Sequence, residues 1–122
     1  MTNSMGIRAL VIASVSAAAA AAYAHAHLAR ANPAAGATLA VAPTEVTLHF
    51  TQQLEPKFST IVVRDSAGRQ VDKGDSHVNK EDAAVLKVSL QPLGSGVYKV
   101  EWRVTSVDTH SSKGEYNFRV GK

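Results

Sequence analysis

Apolar and polar residues alternate along several segments of this chain, with the two-residue period that is typical of β-strands buried on one face. The segments that predict strands are residues 28–32, 44–51, 58–64, 85–90, 97–105 and 115–120, and a return strand is predicted to begin near residue 70. The side chains predicted to face the core are Val46, Leu48, Phe50, Leu86, Val88, Leu90, Tyr98, Val100, Trp102, Val104, Tyr116, Phe118 and Val120. No convincing helical period accompanies them, so the pattern indicates an all-β domain.

Residues that favour turns separate these segments. Asp65-Ser66-Ala67-Gly68 has the composition of a hairpin turn. Residues 34–42 form an Ala/Gly-rich connector, 72–82 a polar surface loop and 91–96 a Pro/Gly loop. Six or seven short strands, with turn signals about 8 to 15 residues apart, predict an antiparallel β-sandwich, and a small closed barrel is the alternative.

The first 24 residues have the layout of an export signal. Residues 1–8 carry one basic side chain, 9–22 form an uncharged run dominated by alanine, and Ala22-Tyr23-Ala24 places small residues where signal peptidase requires them. Cleavage after Ala24 leaves a mature domain, residues 25–122, that begins at His25. An uncleaved membrane anchor is the alternative, although the apolar run is shorter than the roughly 20 residues that span a bilayer.

Composition limits the chemistry that this domain can perform. The chain has no cysteine, which excludes disulfides and thiolate metal ligands. Its two methionines, Met1 and Met5, lie in the predicted signal, so the mature domain is expected to lack a Met-rich Cu(I) site. The 13 basic and 10 acidic residues are interspersed, whereas a nucleic-acid surface needs clustered Lys and Arg. We therefore expect no nucleic-acid partner.

Two short motifs are the candidate metal ligands. The His-Ala-His motif at 25–27 would begin the mature chain with an α-amine and two imidazoles, and the Asp-Thr-His motif at 108–110 adds a carboxylate and another imidazole. Residues i and i+2 of an extended chain point to the same side. A mixed nitrogen and oxygen set suits tetragonal Cu(II). The predicted ligands of one Cu(II) ion per mature chain are His25, His27, Asp108 and His110.

Other interpretations of these motifs stay open. A free amine with histidine at the third position is by itself a local chelate for Cu(II) or Ni(II) that needs no fold. Asp108 could instead bond its own backbone in a turn after the strand. The alternation through Val104 also places Asp108 on the core face, so a ligand role requires the strand to end, twist or bulge near Ser106. His49 and His77 are interpreted as ordinary surface histidines.

Several motifs together resemble a known family. They are His25-Ala26-His27-Leu28, Asn32-Pro33, Leu48-His49-Phe50, Tyr98-Lys99-Val100-Glu101-Trp102-Arg103-Val104, and Ser106-Val107-Asp108-Thr109-His110 before Gly114. On these segments the mature chain resembles the periplasmic copper-resistance proteins of the CopC/PcoC type. The resemblance implies a Greek-key β-sandwich or barrel of immunoglobulin-like or cupredoxin-like form. It also implies Cu(II) bound by the amine and imidazole of His25 together with Asp108 and His110, and His27 is then a ligand or a near neighbour.

The resemblance carries further expectations. It implies a periplasmic protein of copper resistance and homeostasis that holds copper or delivers it, with a CopD-like inner-membrane copper transport protein as its partner. Some members carry a Met-rich Cu(I) loop, but the corresponding residues 65–82 contain no methionine, so only the Cu(II) site carries over. Some members have Glu where this chain has Gln52, which removes a negative charge near the N-terminal histidine.

Two other functions compete with copper storage or delivery. An N-terminal histidine that chelates copper through amine and imidazole also resembles the histidine brace of copper-dependent oxidative enzymes. Such an enzyme needs an open coordination position, which Asp108 and His110 would tend to fill. An immunoglobulin-like adhesion domain would make the histidines incidental. We expect a metal-binding protein that is not an enzyme.

Overall fold

Two four-stranded β-sheets pack face to face in the computed structural model, which describes residues 25–121. The strands are β1 (Leu28–Asn32), β2 (Thr38–Leu39), β3 (Glu45–Phe50), β4 (Thr60–Arg64), β5 (His77–Val78), β6 (Val85–Ser89), β7 (Gly96–Thr105) and β8 (Ser111–Val120). The sheet orders are β1-β3-β6-β5 and β2-β8-β7-β4. All paired strands are antiparallel except β2 and β8, which are parallel. The predicted all-β sandwich is confirmed.

The predicted signal peptide and its cleavage after Ala24 lie outside the described residues. A search of the helices within residues 25–121 finds none that is long and apolar enough to cross a bilayer.

Side chains that alternate inward along the strands form the core between the sheets. Among the positions predicted to face inward, those that are buried are Val46, Leu48, Phe50, Leu86, Val88, Leu90, Tyr98, Val100, Val104, Phe118 and Val120. Trp102 and Tyr116 are half-buried and pack against this cluster from its edge. Tyr98 stacks on Phe118 with ring centroids 5.5 Å apart, and its hydroxyl donates to the Gly94 carbonyl. Burial of these side chains is the main term that stabilises the sandwich.

Four details differ from the expectations. Residues 58–64 do not form one strand, because Pro56–Phe58 is a 3₁₀ helix that leaves Phe58 exposed before β4 begins. Proline has no N–H to pair and begins such a turn readily. The expected return strand is reduced to isolated bridges at Gln70 and Asp72. Two-residue strands, β2 and β5, lie in segments expected to be loops, and β8 begins at Ser111.

The crossing from β3 to β4 brings the site-bearing segments to one end of the sandwich. After β3, Leu54 forms a bridge with Ser106 just beyond β7. The Val107 N–H also donates to the Gln53 carbonyl at 3.0 Å. On the other side, the Thr51 N–H donates to the carbonyl of His27, just before β1. The start of β1 and the turn after β7 therefore both lie against residues 51–54.

The single tryptophan closes the core near this end. Trp102 lies opposite Gly114 in the β7–β8 pair, and its indole packs edge to face on Phe50 with centroids 5.2 Å apart. A Cβ atom added to Gly114 would approach two indole carbons at 2.4 and 2.8 Å. Glycine is therefore needed at position 114 for steric reasons, because any side chain would displace the indole.

We expect Gly114→Ala to destabilise the fold by about 1–3 kcal/mol, the usual cost of overpacking a well-packed site. The matched control is Gly94→Ala, because a Cβ at Gly94 meets nothing within 4 Å. The control should change stability by less than about 0.5 kcal/mol. Urea unfolding followed by the fluorescence of Trp102 measures both variants. Equal stabilities of the two variants would contradict the close contact between Gly114 and the indole.

Candidate metal centre

The turn between β7 and β8 carries two of the predicted ligands. β7 ends at Thr105, and Ser106 is fully buried behind the turn. The Thr109 N–H donates to the Ser106 carbonyl at 2.8 Å, and Thr109 has a φ of 74°, in the left-handed region. This backbone turn breaks the strand alternation and leaves both Asp108 and His110 exposed. The expectation that the strand must end near Ser106 is confirmed.

Ser106 organises this turn from its buried side. Its hydroxyl donates to Oδ1 of Asp108 and accepts from the backbone N–H of His110 at 3.3 Å. Its own N–H donates to the His110 carbonyl at 2.9 Å. One buried residue therefore holds both the carboxylate of Asp108 and the backbone of His110.

Asp108 and His110 also contact each other. Nδ1 of His110 lies 3.3 Å from Oδ1 of Asp108, and both side chains are about half exposed. The pKa of Asp108 is lowered from its ordinary value, first by the hydrogen bond from Ser106 and second by the hydrogen bond with His110. Asp108 is therefore a carboxylate at neutral pH, as a metal ligand must be. With Nδ1 directed at Asp108, Nε2 is the ring nitrogen through which His110 would bind a metal.

The residues before β1 are held against both sheets. The His27 N–H donates to Oγ1 of Thr51 at 2.9 Å, and the His27 carbonyl accepts from the Thr51 N–H at 2.9 Å. On the opposite side, the hydroxyl of Ser112 in β8 donates to the Ala26 carbonyl at 2.8 Å. Ala26 itself is fully buried and belongs to the hydrophobic core. The N-terminal motif is therefore part of the packed domain.

This attachment brings the two predicted motifs together. The imidazoles of His25 and His110 have ring centroids 4.9 Å apart and an interplanar angle of 69°, an edge-to-face contact. Asp108 is in contact with the same His110 ring. His110 therefore contacts two other predicted ligands, His25 and Asp108, although the two motifs lie far apart in the sequence.

The fourth predicted ligand is not in this group. His27 is bound to Thr51 through its backbone, and the residue is exposed. As they stand, no three His, Asp or Glu side chains among residues 25–121 form a group that could hold a metal ion. A shared metal position therefore requires the side chains of His25 and His110 to rearrange. Both are exposed, and exposed side chains change rotamer within nanoseconds.

The two remaining histidines have local partners outside this group. Nδ1 of His49 lies 3.3 Å from the guanidinium of Arg30 on the neighbouring strand. Nδ1 of His77 lies 2.8 Å from the carbonyl of Asp75. Both agree with the interpretation of these residues as ordinary surface histidines.

Three hydroxyl residues that support the candidate ligands were not predicted from the sequence. They are Thr51, Ser106 and Ser112. A signal for Ser112 was present, because the two-residue period of Val120, Phe118 and Tyr116 continues through Gly114 to an inward-facing Ser112. The bonds of Thr51 and Ser112 depend on tertiary pairing and leave no local mark in the sequence.

Comparisons with known proteins agree on one family. A family model described as the CopC domain matches residues 28–121. Protein YobA of Escherichia coli K12 is 36% identical over 113 residues, which cover 92% of this chain and 91% of YobA. The crystal structure of CopC from Methylosinus trichosporium OB3b aligns with a TM-score of 0.70 at 34% identity, covering 79% of this chain and 93% of that one. The crystal structure of PcoC, a methionine-rich copper resistance protein from Escherichia coli, aligns with a TM-score of 0.70 at 30% identity. The alignment covers 80% of this chain and 99% of PcoC.

Replacing Ser106 by Ala should raise the pKa of Asp108 towards the ordinary value of 3.8, because the hydrogen bond that contributes most to the lowering is lost. His110→Ala should raise it less, because its hydrogen bond is the smaller cause. Side-chain carboxyl NMR on the metal-free protein follows the titration directly. Asp75 is an internal control, because its lowered pKa depends first on the side chain of Ser89. An unchanged Asp108 pKa in Ser106→Ala would show that the hydroxyl does not stabilise the carboxylate.

Proposed function

The chain belongs to the CopC domain family, and from that premise we propose that it is a periplasmic Cu(II)-binding protein of copper resistance and homeostasis. Members of this family are copper-binding proteins and not enzymes. The single observation that carries the proposal is the contact of His25 with His110 beside Asp108. This contact supports a shared metal site, because it joins residues with nitrogen and oxygen donors that are distant in the sequence.

The donor types favour Cu(II) as the cargo. Imidazole, amine and carboxylate suit tetragonal Cu(II), whereas Cu(I) prefers thiolate or thioether. The chain has no cysteine, and both methionines precede residue 25. In this respect it differs from PcoC, which is described as methionine-rich. We therefore propose one Cu(II) ion per mature chain and no Met-rich Cu(I) site.

In this proposal each of the three residues supplies different donor atoms to copper. His25 supplies its imidazole and, after removal of residues 1–24, an α-amine. Asp108 supplies an oxygen and His110 supplies Nε2. Ligands must lose their protons before they bind, and the unperturbed pKa of an α-amine is about 7.7–8.0. Binding should therefore release protons and weaken as the pH falls.

His27 has a different position in the proposal. Its backbone is bonded to Thr51, whereas the side-chain contacts that support the proposal join His25, Asp108 and His110. We place it beside the copper site as a neighbour. The rival arrangement is a local chelate in which the N-terminal amine and His27 bind copper without Asp108 or His110, and mutation of the distant motif separates the two arrangements.

The proposal also covers location and partner. The signal layout of residues 1–24 supports export to the periplasm, where the domain would meet copper before it enters the cell. The family supports delivery to, or receipt from, a CopD-like copper transport protein of the inner membrane. The exposed site is consistent with transfer by direct contact, because His25, Asp108 and His110 are all accessible from solvent.

Asp108→Ala and His110→Ala should each weaken Cu(II) binding by one or more orders of magnitude. Each tenfold loss corresponds to about 1.4 kcal/mol, and a lost ligand at a preorganised site costs at least that much. Competition with a Cu(II) chelator of known affinity measures the effect. The protein should be exported with its own leader and its N-terminus verified by mass spectrometry, so that the amine of His25 is present.

Matched controls are available at other exposed positions of the domain. His77→Ala and Glu81→Ala remove the same side-chain chemistry at exposed positions outside the site, and both should keep the wild-type affinity. Unchanged affinity in Asp108→Ala and His110→Ala would refute the shared site and leave the local chelate at residues 25–27.

A further inference from the structure

Two of the three described residues that precede β1, Ala26 and His27, are held by hydrogen bonds from opposite sides of the sandwich. Thr51, which follows β3, bonds the N–H and the carbonyl of His27, both at 2.9 Å. Ser112, which lies in β8 of the other sheet, donates its hydroxyl to the carbonyl of Ala26 at 2.8 Å. We call Thr51 and Ser112 the clasp, because they hold the same short segment from opposite sides. His25 directly precedes Ala26, so the position of Ala26 limits where His25 can lie.

Ser112 is placed to relate the two halves of the site. It stands two residues after His110 and pairs with Val104 in β7, so its position is fixed by the same hairpin that carries His110. The bond that it donates spans 86 positions of the chain. It therefore connects the N-terminal segment directly to the strand that begins beside the other candidate ligands.

From this arrangement we propose that Ser112, with Thr51, is a positioning residue for the copper site. It acts through Ala26, whose carbonyl it holds, and so keeps the His25 imidazole beside His110. Burial of Ala26 closes the segment against the core and limits its alternative positions. This inference rests on the proposed function, because positioning has meaning only if His25 and His110 bind the same ion.

With the clasp in place, copper itself need not order the N-terminal ligand His25. A ligand on a free chain end must lose conformational freedom when it binds, and that loss weakens binding. The clasp orders residues 26 and 27 before the metal arrives. Groups that orient metal ligands in this way typically account for 10–100-fold in affinity.

Three variants of adjacent serines test the clasp. Ser112→Ala removes the hydroxyl, Ser112→Thr retains it on a residue that strands accept readily, and Ser111→Ala is the matched control. Ser111 lies in the same strand, but its hydroxyl bonds Thr105 and no residue of the site. The processed protein is titrated with Cu(II) against a chelator, and the copper-loaded form is recorded by electron paramagnetic resonance.

We expect Ser112→Ala to lose about tenfold in Cu(II) affinity and to change the copper hyperfine pattern, as nitrogen coordination from the N-terminus weakens. Ser112→Thr should restore both, and Ser111→Ala should match the wild type. A purely structural role would lower the unfolding midpoint of Ser112→Ala and leave the affinity and spectrum of the folded fraction unchanged. That result would overturn the inference.

Two further comparisons separate failure of the clasp from failure of the proposed function. If Asp108→Ala loses affinity while Ser112→Ala does not, the clasp is wrong and the shared site stands. If neither variant loses affinity, both are wrong. Should Ser112→Ala not fold, Thr51→Val tests the other side of the clasp, because it removes the acceptor of the His27 N–H. Wild-type affinity in Thr51→Val would then overturn the inference.

Discussion

The candidate site depends above all on the attachment of residues 25–27 to the two sheets. A chain end is ordinarily the least ordered part of a domain, because nothing holds it on one side. Here the buried side chain of Ala26 and the bonds from Thr51 and Ser112 make it part of the core. The contact between His25 and His110 follows from this attachment, because the bonds at Ala26 and His27 hold the segment next to the β7–β8 turn.

The two halves of the site are held in different ways. Asp108 and His110 sit on a turn whose geometry is set from within by the buried Ser106. Thr109 adopts a left-handed conformation there, which costs a residue other than glycine about 1–2 kcal/mol. Hydrogen bonds around Ser106 compensate for this cost, and strained backbone of this kind is found often at functional sites. His25, in contrast, is placed through its neighbours, so it is the half that can adjust when copper binds or leaves.

Much of the fold could be predicted from the sequence, because a two-residue apolar period has only one simple structural meaning. The inward positions of β3, β6, β7 and β8 were predicted for this reason, as was the hairpin turn at 65–68. The 3₁₀ helix at Pro56–Phe58 and the parallel pairing of β2 with β8 were not predicted. These features depend on how the chain crosses between sheets, and apolar periodicity carries no information about that.

The candidate site could be predicted in part for a similar reason. The ligand types and their i, i+2 spacing are local features of the sequence. His25, Asp108 and His110 could therefore be predicted as ligands without knowledge of their contacts in the fold. The bonds that hold the backbone of His27 to Thr51 are tertiary, so the i, i+2 spacing of His25 and His27 could not predict them. Ser106 and Ser112 could not be assigned their roles because the bonds that they make to Asp108 and Ala26 depend on the folded backbone.

The central claim is that both ends of the mature chain bind the same copper ion, and pulsed electron paramagnetic resonance tests it most directly. The technique detects the remote nitrogens of imidazoles that coordinate Cu(II). In the processed protein loaded with one equivalent of Cu(II), we expect coupling to the imidazoles of both His25 and His110, so that His25→Ala and His110→Ala each remove one coupled ring. Spectra of His110→Ala that are identical to those of the wild type would contradict the account, because copper would then be bound at the N-terminus alone.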